Sequence, residues 1–232
     1  MEITKTYRIK EIFYSLQGEG FHTGRAAVFV RFAGCNLRCP FCDTDFSGGE
    51  EMTREEIISR ALAAVTSSSI YAPNQLADCS EIETKTDDVS LALSERMLLV
   101  LTGGEPSLQA DEALVDALHE AGFYIAIETN GTHVLPNGID WVTCSPKDAP
   151  VVLSRADEVK VVYRGQDVEE WYGKLKAQHY FLQPCDLRFE SRSSGSDEGL
   201  QSYSTISETI AYILTHPHWQ LSMQMHKVAG IR

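Results

Sequence analysis

The chain has 232 residues, 43% hydrophobic and 23% charged, which is the balance of a folded globular protein rather than a disordered one. Its 20 Lys and Arg against 33 Asp and Glu leave a net charge of −13, which argues against nucleic-acid binding but not against a small anion held by a few local cations. No apolar run approaches the roughly 18 residues of a membrane span, and no basic-then-apolar leader opens the sequence, so a soluble, cytoplasmic protein with no membrane partner is expected.

In chain order, residues 26–32 (AAVFVRF) read as a strand ended by Gly34. Residues 53–65 read as a helix, with Thr53 as N-cap and Glu56 completing a capping box. A buried strand over 97–101 stops at Thr102-Gly103-Gly104. A helix over 108–121 carries Leu114, Leu118 and Ala121 at helical spacing, with Gly122 as its stop. Strands follow at 123–127, before the Asn130-Gly131 turn; at 141–144, halted by Pro146; and at 158–162. A helix over 168–177, a short strand over 180–182 and a helix over 204–214 complete the set. The alternation predicts an α/β chain with a parallel sheet, in one domain over 1–232, interrupted by variable loop insertions near 66–96 and 186–203. Barrel and doubly wound sheets both place their sites at the C-terminal strand ends, so the motifs there are the ones to read.

Cys35, Cys39 and Cys42 stand in GCNLRCPFCDT (34–44) with the spacing C-x3-C-x2-C. Clustered thiols in an intracellular chain point to a metal rather than to disulfides. Three thiolates hold three corners of a [4Fe-4S] cubane and leave the fourth iron open to another ligand. Zinc would need a fourth protein ligand, for which His22 is available. The spacing, with Phe41 before the last Cys as a shield from water, resembles the radical S-adenosylmethionine (SAM) superfamily. That resemblance implies a partial, open parallel β/α barrel with its active site at the C-terminal strand ends, and SAM chelating the open iron. Gly103-Gly104-Glu105 resembles the segment that holds the SAM amino group, its glycines allowing close backbone approach to a ligand. Lys147 in Ser145-Pro146-Lys147 offers a cation to the SAM carboxylate.

The stretch EIFYSLQGEG (11–20), with two glycines around Glu19, reads as a loop before the first strand that crosses over a small ligand. It is joined by VRF (30–32), CDT (42–44), TGGE (102–105), ETNG (128–131), SPK (145–147), LQP (182–184) and QMHK (224–227). Together they resemble the 7-carboxy-7-deazaguanine synthase family from about residue 7 to the C-terminus, the two insertions apart. The resemblance implies a carbon–nitrogen lyase of queuosine biosynthesis that turns 6-carboxy-5,6,7,8-tetrahydropterin into 7-carboxy-7-deazaguanine with release of ammonia. Its cofactors would be a [4Fe-4S] cluster, SAM and Mg²⁺; its electron donor a flavodoxin or ferredoxin; its working form a homodimer.

Residue by residue, the resemblance makes Cys35, Cys39 and Cys42 the cluster ligands. It puts Phe41, Cys42, Asp43, Gly104, Glu105, Ser145, Pro146, Lys147, Gln183, Pro184, Cys185 and Asp186 at SAM, with Cys185 departing from the family pattern. Leu16, Gln17, Gly18, Glu19, Arg31, Thr102, His226 and Arg232 would meet the substrate, and Thr44 would bind Mg²⁺. Arg31, Thr44 and Glu105 are the catalytic candidates. Arg31 supplies the bidentate counter-charge that a carboxylate needs in so acidic a protein, and Mg²⁺ suits a site with few protein oxygens. Cys144 reads as a buried strand residue, and Cys79 lies in the first insertion; neither is needed as a ligand. Two other readings stay open: a glycyl-radical activating enzyme, which has the same cysteine spacing but no use for a carboxylate clamp, and a zinc-stabilised, non-catalytic binding domain.

Overall fold

The computed structural model describes residues 5–67, 96–186 and 204–231. Cys79, Arg232 and nearly all of both insertions lie outside the described residues.

Strand β1 (Tyr7–Leu16) runs antiparallel to β2 (Ala26–Phe32), and β3 (Glu50–Met52) pairs antiparallel with the outer edge of β1. The stretch from 11 to 16 is therefore strand, not loop. A register shift between Ile9 and Glu11 breaks the period-two pattern that would have announced it. Helix α1 (Arg54–Thr66) follows, and its capping box is present: Thr53 Oγ1 accepts from the Glu56 N–H at 3.3 Å and Glu56 Oε2 from the Thr53 N–H at 2.8 Å.

Strand β4 (Leu98–Gly103) leads through a 3₁₀ turn (Pro106–Leu108) to α2 (Glu112–Glu120). This helix starts later than the spacing predicts because Asp111 caps it, its side chain accepting from the Leu114 N–H. Then come β5 (Tyr124–Thr129), β6 (Trp141–Cys144), β7 (Glu158–Tyr163), a four-residue helix α3 (Trp171–Lys174), and β8 (His179–Pro184). The helix expected over 168–177 shrinks to α3 because Tyr172 is extended and Gly173 has a φ of +91°. Helix α4 (Ile206–Thr215), the two-residue β9 (Gln220–Leu221) and α5 (Met225–Ala229) end the described chain.

Among the described residues the sheet has nine strands in the order β3-β1-β2-β4-β5-β6-β7-β8-β9, parallel from β2 onward. No pairing joins β9 to β3, so the sheet is open, as the resemblance implied. One face of the central strands (Val28, Val30, Leu99, Leu101, Ile125, Ile127) packs on Ile57 and Ala61 of α1 and on Leu114 and Leu118 of α2. The other face begins apolar, with Ala27, Leu98, Val100 and Ala126 against Phe29, Tyr124 and Trp141. Continuing two residues at a time, that face presents Arg31 on β2, Thr102 on β4, Glu128 on β5, Lys160 then Val162 on β7, and Gln183 on β8. Polar groups therefore gather at the C-terminal strand ends. No helix among the described residues is long and apolar enough to cross a membrane.

Candidate active site

The loop after β2 carries the three cysteines, and the end of β4 braces it. Gly103 has a φ of +120°, and a Cβ there would lie 2.3 Å from the Phe32 carbonyl oxygen. A Cβ on Gly104 would lie 1.8 Å from the carbonyl oxygen of Gly34. The Gly104 N–H donates to the Phe32 carbonyl at 3.1 Å, and the Glu105 N–H to Gly34 at 2.9 Å. The close approach for which these glycines are needed is to the chain just ahead of Cys35. Both also line the cavity beside it.

That cavity, of about 390 Å³, is lined by Cys35, Cys39 and Cys42, all free thiols. Burial pushes the Cys35 and Cys39 thiols above their ordinary range, and a bound metal would draw off those protons. Among the described residues, no three or more His, Cys, Asp or Glu converge on a single-ion cage. Three thiols spread around a cavity suit the corners of a cubane better than a zinc tetrahedron. His22 is no partner to them. Its ring lies tilted against Trp141 at 4.6 Å and edge-on to Tyr124 at 6.0 Å, where β6 and β5 begin, at the opposite end of the strands.

Phe41 faces the same cavity, with Arg164 Cζ 4.4 Å and Lys147 Nζ 5.9 Å from its ring centroid. Burial lowers the Lys147 ammonium below its ordinary range, so an anion in the cavity would meet a poorly solvated cation. Ser145, Gln183, Pro184, Cys185 and Asp186 line the cavity from the ends of β6 and β8, and Asp43 and Thr44 from the cysteine loop. Pro146 lines a neighbouring cavity of about 460 Å³ instead, one that Phe41 and Lys147 also border. Cys144 is buried at the end of β6, its thiol pushed up to about 12 by that burial.

Glu105, only 1% exposed, lines the cavity and is held by four hydrogen bonds. Its carboxylate accepts from the Thr129 hydroxyl and the Asn130 N–H, both at 2.7 Å, and from the N–H and hydroxyl of Ser107. It ties the end of β4 to the end of β5. Three of these bonds fall on Oε1 and one on Oε2, so the carboxylate braces the strand ends beside the cavity. Asn130 in turn donates to Asn36 at 3.0 Å, holding the cysteine loop from the other side.

On the β1 side, Leu16, Gln17, Gly18, Glu19, Arg31 and Thr102 reach the same space. Arg31 pairs across the strands with Glu11, Nε to Oε1 at 2.9 Å, and lies over Phe13, which stacks on Phe29. Lys160, 4% exposed, stands between Glu19 at 2.7 Å and Glu128 at 3.1 Å. Burial pushes the Glu19 carboxyl up, but the charge and hydrogen bond of Lys160 more than offset this and hold it at about 2. Burial prevails at Glu128, which is pushed up to about 7. Lys160 stays protonated: burial works against it, and the charges of Glu128, Glu19 and Glu158 outweigh that.

His226 reaches the cavity from α5, close enough that a Cβ on Gly18 would lie 2.5 Å from its Nδ1. Sequence reasoning missed Glu11, Glu128, Lys160, Gln224 and Lys227 as site residues. Glu128 lies in ETNG and Gln224 and Lys227 in QMHK, but Lys160 carries no signal in EVKVVY, where a lone Lys reads as solvent-facing.

No family model matches the chain. A 7-carboxy-7-deazaguanine synthase of Bacteroides thetaiotaomicron is 46% identical over 226 residues, covering 97% of this chain and 98% of the relative. A relative with the same name from Bradyrhizobium diazoefficiens is 41% identical, covering 98% and 100%, and one from Bordetella pertussis is 40% identical, covering 97% and 99%. The crystal structure of QueE from Escherichia coli matches with a TM-score of 0.61 at 28% identity, over 95% of both chains. Identity of this extent, spread over nearly the whole length and accompanied by the same architecture, leads to one conclusion: the chain belongs to the 7-carboxy-7-deazaguanine synthase family.

Proposed function

We propose that this chain, acting as one domain around the cavity, converts 6-carboxy-5,6,7,8-tetrahydropterin to 7-carboxy-7-deazaguanine with release of ammonia, a step toward queuosine. The observation that carries this reading is a single cavity that joins three free thiols to Arg31 and to the buried Lys160 cluster. Cys35, Cys39 and Cys42 hold the cluster, and when bound, cluster and SAM supply the electron and the hydrogen-abstracting radical that start the ring contraction.

The remaining work falls to the chain itself. Lys147 binds the SAM carboxylate, and the backbone of Gly104, with Ser145 and the segment from Gln183 to Asp186, lines its binding groove. Phe41 covers the cysteine loop against water. Arg31, oriented by Glu11, clamps the substrate carboxylate, and the Thr44 hydroxyl serves Mg²⁺ beside it. Thr102, Gln17 and His226 confine the bicycle. Glu19 remains an anion and accepts from the substrate's N–H edge, whereas Glu128, which burial shifts toward its protonated form, takes up or returns a proton at its carboxyl oxygen. The electron donor is a flavodoxin or ferredoxin and the working form a homodimer; family membership supports both.

Arg31→Ala tests the reading. Loss of a charge-assisted hydrogen bond of roughly 1.5–3 kcal/mol lowers kcat/KM for the pterin on the order of ten- to a hundred-fold and leaves SAM affinity unchanged. An equal loss toward both ligands contradicts the assignment.

A further inference from the structure

Helix α5 has five residues, too few to persist alone, so its place depends on what grips it. The Met225 N–H donates to the Gly18 carbonyl at 2.9 Å, fastening it to the loop that follows β1. Lys227 Nζ lies 2.6 Å from Asp43 Oδ2, 3.3 Å from Asp186 Oδ2 and 2.9 Å from Gln224 Oε1. Gln224 Nε2 donates both to Glu19 Oε1 at 3.0 Å and to Asp43 Oδ2 at 3.1 Å. Asp43 sits between Cys42 and Thr44, and Asp186 follows the end of β8. One ammonium thus binds α5 to the cysteine loop and to β8, while the same helix carries His226 over the substrate side.

We propose that Lys227 is a positioning residue that aligns the two halves of the active site. It holds Asp43 and Asp186 against α5, so that the cofactor wall and the substrate wall keep one spacing. The proposal rests on the function given above. Physically, two carboxylates crowding one point repel each other unless a cation stands between them. Any drift of Asp43 carries the neighbouring Cys42 and Thr44 with it. The Asp186 carboxylate is 12% exposed, so water screens that side of the latch less than it screens an open surface pair.

The test compares Lys227→Met and Lys227→Arg with the unaltered chain in two ways. The first is amide hydrogen exchange over 225–229 in protein without cluster or SAM, which reads the latch directly. Met is expected to speed exchange there roughly three- to ten-fold, and Arg to restore most of the protection. The second is steady-state kinetics of the reconstituted enzyme, where Met raises KM for SAM by a similar factor, Arg recovers it, and kcat changes less. Exchange and KM for SAM both unchanged in Lys227→Met overturn the proposal, and so does a fall in kcat alone. If the unaltered chain makes no carboxydeazaguanine, the function is wrong, yet the exchange comparison still decides whether Lys227 is the latch.

Discussion

Surroundings set two glutamates of this cavity to different tasks. Glu105 spends its oxygens on Ser107, Thr129 and Asn130, and Glu105→Gln replaces one acceptor with a donor that faces donors. The substitution costs about 1–3 kcal/mol, read as a lower urea midpoint; an unchanged midpoint would contradict the positioning role. Glu128 is pushed up to about 7 by burial, so folding favours its protonated form. Its contribution to stability is fully present below the ordinary carboxyl value, near 4.5, and is lost as pH rises through 7. Glu19 has the opposite sign: held at about 2, its contribution is present above 4.5 and lost as pH falls through 2. Stability between pH 4.5 and 7 should therefore fall less steeply in Glu128→Gln than in the unaltered chain, as thermal unfolding across that range would show. Identical slopes would remove Glu128 from the buried cluster. Cys35, Cys39 and Cys42 were legible in the sequence because their type and spacing are unusual, and Arg31 only through the family resemblance. Glu128 and Lys160 were not, since a lone charge on a strand looks the same whether it faces water or a shared cavity. Only the register of β5, β6 and β7 decides which.

At the scale of elements, the cysteine loop depends on the end of β4 more than on its own sequence. Gly104→Ala would drive a Cβ into the Gly34 carbonyl, against backbone that cannot swing aside. Iron per chain after anaerobic reconstitution should fall sharply in that variant. Thr53→Ala is the matching control. It removes half of the capping box at the N-terminus of α1, costs about 1 kcal/mol of stability and should leave iron content alone. Loss of iron in both would mean general unfolding rather than a failed brace. The capping box was readable in advance because Thr53 and Glu56 are local to each other. So were the parallel strands, whose apolar runs end at Gly or Pro. Strand β1 was hidden by its bulge, and α3 was over-read because Gly173 interrupts an otherwise helical pattern. The two-residue β9 and the five-residue α5 are too short for any periodicity to reveal.

At the scale of the whole molecule, an open sheet gathers all its chemistry at one end of its strands, which is why widely separated motifs meet there. In a chain of net charge −13, Arg31, Lys147, Lys160 and Lys227 bring four cations to the lining of that one cavity. Cys39→Ala should lose both the cluster and activity, whereas Cys144→Ala, altering a buried thiol at the end of β6, should keep its iron. One anaerobic assay decides whether the chain makes carboxydeazaguanine: the reconstituted protein with reductant, SAM, Mg²⁺ and 6-carboxytetrahydropterin, products followed by mass. The expected result is 7-carboxy-7-deazaguanine in excess of the deoxyadenosine formed. Deoxyadenosine formed stoichiometrically from SAM, with no carboxydeazaguanine, would contradict it.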